Sequence, residues 1–97
     1  MPQYLVERYI PNASQLTAIE LRAIAQQFLL VQQQLGPKVQ WICSTITKDR
    51  FVCLYVAEDE TFLREHSQRS GLPFQRITEV SAVIGPSTAA LDDEEVA

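Results

Sequence analysis

The sequence is poor in the residues that most often announce chemistry. Its 97 residues include one histidine, two cysteines, three glycines and one tryptophan. A single histidine excludes an H-E-x-x-H zinc motif and every zinc finger with two histidines. Cys43 and Cys53 stand too far apart for a C-x-x-C pair. Gly36, Gly71 and Gly85 are scattered, so no phosphate loop, G-x-G-x-x-G turn or G-x-S-x-G elbow can be drawn. No apolar run approaches the ~20 residues that a membrane helix needs. The N-terminus also lacks a basic stretch followed by an apolar one. The expectation is therefore a cytoplasmic protein with two free thiols, neither secreted nor membrane-bound.

Positive charge is scarce too. Eight Lys and Arg face twelve Asp and Glu, a formal net charge of −4. A chain that neutralises nucleic-acid phosphates needs a basic face, so nucleic acid is not an expected partner. The excess is local: Asp92, Asp93, Glu94 and Glu95 crowd the C-terminus. Taking those four from the twelve acids leaves eight against eight bases. The sequence thus divides into a balanced domain over 1–86 and an acidic tail over 87–97.

Hydrophobic residues make up 46% of the chain, enough for one globular core. Gln3 to Ile10 alternates as a half-buried strand, with Tyr4, Val6 and Ile10 on one side. Thr17 and Glu20 have capping-box spacing, and Leu21, Ile24, Ala25, Phe28, Val31, Gln32 and Leu35 recur at helical spacing up to Gly36-Pro37. A helix is predicted over 18–35. Val39–Thr47 and Arg50–Ala57 are rich in β-branched and aromatic residues and read as a hairpin. Asp59 caps a second helix ending at Ser70-Gly71, and a last strand is expected over 75–84. The order β-α-β-β-α-β, with right-handed crossovers, gives a ferredoxin-like α+β fold. Its four-stranded antiparallel sheet has strand order 4-1-3-2, with both helices on one face.

The face without helices should be polar if it meets water. Strand alternation instead yields two apolar sets. Val52, Leu54 and Val56 oppose Phe51, Cys53 and Tyr55, while Trp41, Cys43 and Thr45 oppose Gln40, Ile42, Ser44 and Ile46. A second copy covering that face is the expectation: a homodimer of the dimeric α/β-barrel type, burying more than roughly 1,000 Å².

Four stretches bear a family likeness: Met1-Pro2-Gln3-Tyr4-Leu5-Val6-Glu7-Arg8, Trp41-Ile42-Cys43-Ser44, Cys53-Leu54-Tyr55-Val56-Ala57 and Gly71-Leu72-Pro73-Phe74-Gln75-Arg76-Ile77-Thr78-Glu79-Val80. They resemble the nickel-binding-protein-like family of small bacterial proteins over about residues 1–88. The resemblance implies a ferredoxin-like dimer and nickel, or another soft divalent metal, as ligand. Nickel-binding branches of the family look His-rich in the first strand and both helices, whereas this chain has only His66. By that resemblance Cys43 stands where the most similar branch usually reads W-V-H-S, with a histidine, and a thiolate remains a soft ligand.

The candidate metal ligands are accordingly Cys43, His66 and Glu7. Tyr9, Trp41, Cys53, Tyr55 and Glu79 are expected at the pocket or interface. Each has a structural alternative. His66 shares the apolar side of the second helix with Phe62 and Leu63 and reads as a hydrogen-bonded core histidine. An even hairpin loop puts Cys43 opposite Leu54 and Cys53 opposite Ser44, on opposite sides of the sheet; a bulge or odd loop unites them. Glu7 and Glu79 could form a carboxylate pair, or Glu7 could pair with Arg76. Two functions stand side by side. One is a dimeric binding protein for a metal or small ligand between its sheets. The other is a cofactor-free dimeric α/β-barrel monooxygenase or isomerase using Glu7, Tyr55 or His66 as acid or base.

Overall fold

The structure, a computed structural model, describes residues 1–92. Its elements are β1 (Gln3–Tyr9), α1 (Ala18–Leu35), β2 (Val39–Ile46), β3 (Arg50–Ala57), α2 (Glu60–Ser70) and β4 (Arg76–Glu79). The sheet order β2-β3-β1-β4 is the expected one, and all three pairings are antiparallel. This is the ferredoxin-like arrangement.

The local signals act as their chemistry requires. Thr17 Oγ1 accepts from the Glu20 amide at 3.2 Å, and Glu20 Oε1 accepts from the Thr17 amide at 3.0 Å. Both orphan donors at the start of α1 are thereby satisfied. Gly36 ends α1 at φ 79°, where a side chain would be strained, and its amide donates to the Gln32 carbonyl at 3.1 Å. Asp59 caps α2 by accepting from the Thr61 amide at 2.8 Å.

The core lies between the sheet and the helices. Tyr4 and Val6 of β1, and Phe51, Cys53, Tyr55 and Ala57 of β3, point into it and are buried. Phe28 and Val31 of α1 and Leu63 of α2 meet them. The opposite face of the sheet carries Leu5, Val52, Leu54 and Val56, all half-buried within the single chain and covered by no helix.

The hairpin turns through Lys48-Asp49, an even loop. Cys43 pairs with Leu54 and Ser44 with Cys53, so the two thiols lie on opposite sides of the sheet. Cys43 is exposed and Cys53 is buried. A β-bulge lies between Trp41 and Cys43. It corrects the simple alternation of β2: Trp41 does not share a side with Cys43 and Thr45. One extra residue reverses the parity, so Trp41 joins Ser44 and Ile46 on the helix side.

The last strand is shorter than the expected 75–84. β4 has four residues because β1, its one partner, begins at Gln3. The Val80 amide donates to the Gln3 carbonyl at 2.8 Å, and beyond that β1 offers nothing to pair with. Within the expected tail, Pro86–Ala90 forms a 3-10 turn, its Gly85 amide donating to Thr88 Oγ1 at 2.9 Å. Residues 93–97 of that tail, including Asp93, Glu94 and Glu95, lie outside the described residues. Among the described residues, no helix is long and apolar enough to cross a membrane.

Candidate functional site

Strand alternation carries Arg8 inward beside Tyr4 and Val6, where it is 0% exposed. Its guanidinium is held by neutral groups. Nη1 donates to Ser67 Oγ at 2.9 Å and to the Leu72 carbonyl at 2.7 Å, and Nη2 donates to Tyr55 Oη at 3.1 Å. The guanidinium carbon lies 5.5 Å from the centre of the Phe28 ring, a cation–π contact. Nε has no hydrogen-bond partner, and no carboxylate forms an ion pair with Arg8 among the described residues.

The network continues into α2. Tyr55 Oη lies 3.2 Å from His66 Nδ1, and His66 Nε2 lies 3.0 Å from the Phe28 carbonyl. A carbonyl only accepts, so Nε2 carries the proton and Nδ1 accepts from the Tyr55 hydroxyl. Desolvation favours the neutral form of His66, in which Nδ1 is bare. Burial pushes its pKa below the usual value, and the nearby Arg8 charge adds to this, against the opposing Phe28 hydrogen bond. Burial also raises the Tyr55 pKa, with Arg8 pulling the other way. The rings of Phe28 and Tyr55 pack edge-on against the imidazole at 5.2 Å each. The result is a satisfied, desolvated core histidine that rivets both helices to the sheet.

The expected metal ligands do not converge within one chain. His66 lies beneath the helices with both ring nitrogens engaged. Cys43 and Glu7 lie on the open face, separated by β3; two strand spacings and an offset of two residues put them about 12 Å apart. Among the described residues, no group of three or more His, Cys, Asp and Glu side chains could hold a metal. The trio Cys43, His66 and Glu7 is thereby corrected as a site internal to one chain.

The carboxylate pair does not form either. Glu7 pairs across the sheet with Arg76, its Oε2 4.0 Å from Arg76 Nε. Glu79 is exposed and pairs with Tyr4, whose side chain belongs to the helix side. Tyr9 is exposed at the end of the open face. Trp41 packs edge-on against Phe28 with ring centres 5.1 Å apart. Cys53 is sealed in the core. None of Glu7, Tyr55 and His66 lines the four principal clefts.

Sequence reasoning missed Arg8 and Ser67. The signal for Arg8 was present: it shares the parity of Tyr4, Val6 and Ile10, the buried set of β1. Ser67 follows His66 on α2 and had no signal of its own.

A crystal structure of SCO4226 from Streptomyces coelicolor A3(2) is similar in fold, with a TM-score of 0.72 at 15% identity. The match covers 84% of this chain and 99% of that one. No curated relative matches the sequence. The family model described as nickel responsive protein SCO4226-like matches residues 4–80. That match spans most of the chain, and the protein belongs to the SCO4226-like family of nickel-responsive proteins.

Proposed function

We propose that the chain is a non-enzymatic binding protein that works as a homodimer, two copies pairing through their open sheet faces. The observation that carries this reading is the half-buried apolar stripe of Leu5, Val52, Leu54 and Val56 on the sheet face opposite α1 and α2 among the described residues. Antiparallel sheets that meet water show polar residues there. A symmetric pairing buries that stripe on both copies at once, and a stable one needs more than roughly 1,000 Å² in total.

The same reading locates any metal response. His66 has no free lone pair, so it leaves the ligand set. Cys43 and Glu7 both belong to the pairing face. A soft divalent metal such as nickel would be shared between copies, the Cys43 thiolate coming from one and the Glu7 carboxylate from the other. The test combines size-exclusion chromatography with light scattering and metal titration on protein purified without an affinity tag. A dimer that Leu54→Lys converts to a folded monomer supports the pairing, and a Leu54→Lys dimer refutes it. Nickel, zinc or copper stoichiometry lost in Cys43→Ala supports the shared site; unchanged stoichiometry removes Cys43 from it.

A further inference from the structure

The bulge in β2 has a consequence on the helix side of the sheet, away from the pairing face. Without it, Trp41 would lie beside Cys43 on the open face. With it, Trp41 and Ser44 point inward, and their side chains meet: Trp41 Nε1 donates to Ser44 Oγ at 2.9 Å. These two residues and Ile46 form one wall of a cleft, and Leu21, Ile24 and Ala25 of α1 form the other. Phe28 and Phe51 form its floor. The cleft has a volume of about 190 Å³ and opens beside β2, an edge strand.

We propose that this cleft binds a small uncharged ring carrying one hydrogen-bond acceptor. Three observations define that ligand class. A cavity of about 150 Å³ accepts benzene, so this volume holds one ring with a small substituent. No charged side chain lines the cleft, which disfavours ions. Its polar feature is the Trp41–Ser44 pair, in which the Ser44 oxygen already accepts the indole proton. The Ser44 hydroxyl proton is not used in any hydrogen bond among the described residues, so it is the donor that a ligand oxygen would meet. An apolar pocket with one fixed donor selects a phenol-like or ketone-bearing ring over a plain hydrocarbon. The site is independent of how the open face is used.

Trp41 is the only tryptophan, so its indole N–H gives a single resonance in a proton–nitrogen correlation spectrum. The experiment titrates the full chain with p-cresol, toluene and benzoate, following that resonance. Saturable shifts with p-cresol in the roughly millimolar range are expected for so few contact atoms. Toluene should bind several-fold more weakly and benzoate not at all. Ala25→Leu, which fills the cleft, should abolish the p-cresol shift, with Leu21→Phe as a second filling variant if the first does not fold. Ser44→Ala should reduce p-cresol affinity to that of toluene. A Trp41 resonance that does not move overturns the proposal. Shifts that survive a folded filling variant overturn it too, as does benzoate binding as well as p-cresol.

Discussion

Replacing Tyr55 with phenylalanine tests the buried network by removing one oxygen and nothing else. The ring keeps its place in the core, so no cavity larger than a hydroxyl opens. Two partners lose their bonds. Arg8 Nη2 loses an acceptor at 3.1 Å, and His66 Nδ1 loses a donor at 3.2 Å. Both residues are 0% exposed, so water cannot replace the lost group without opening the core. Each orphaned buried group costs about 1–3 kcal/mol, so Tyr55→Phe should destabilise the fold by roughly 2–6 kcal/mol. A domain of this size has ~5–15 kcal/mol in all, which makes the loss easy to measure. Urea unfolding, followed by far-UV circular dichroism and Trp41 fluorescence, should show a lower midpoint with an unchanged slope. A loss below ~0.5 kcal/mol would refute the network, since a measured hydrogen bond contributes at least that much.

The remaining predictions concern the same interior and its helix. His66 has a folded pKa below the usual 6.5, so the unfolded chain takes up a proton that the folded chain refuses. Its contribution to stability is complete above pH 6.5 and is lost as the pH falls below it; the slope is at most about 1.4 kcal/mol per pH unit. Urea midpoints should therefore drop between pH 7 and 5.5 in the wild type and stay flat in His66→Gln; parallel curves would contradict a neutral buried imidazole. Nitrogen-15 spectra of the imidazole should show Nε2 protonated and Nδ1 bare, and the reverse tautomer would contradict the assigned bond directions. Thr17→Ala removes one half of the capping box and should cost about 1 kcal/mol in thermal or urea unfolding.

The fold was legible because its signals are local. Thr17-Glu20, Gly36-Pro37, Asp59 and Gly71 mark the helix ends through backbone hydrogen bonds that the sequence itself specifies. The hairpin itself was legible, but its register stood open between an even and an odd loop until the Lys48-Asp49 turn placed Cys43 opposite Leu54. What failed to show in the sequence depends on partners distant along the chain. The bulge at β2 turns Trp41 inward against Phe28 of α1, and no period-2 pattern announces it. The short β4 is set by where β1 begins, seventy residues earlier in order of magnitude. The candidate site was only half legible for the same reason. His66 was readable as a core residue from Phe62 and Leu63, but its partners Tyr55 and the Phe28 carbonyl come from β3 and α1. Arg8 lies in the inward series of β1, but its burial depends on Ser67 and the Leu72 carbonyl closing around it, partners about sixty residues away.

The most direct test of the account is sedimentation equilibrium of the untagged chain at micromolar concentration. Pairing through Leu5, Val52, Leu54 and Val56 predicts a mass twice that of one chain, with Leu54→Lys sedimenting at the single-chain mass and keeping its circular dichroism spectrum. A wild-type chain that sediments as a clean monomer would contradict it.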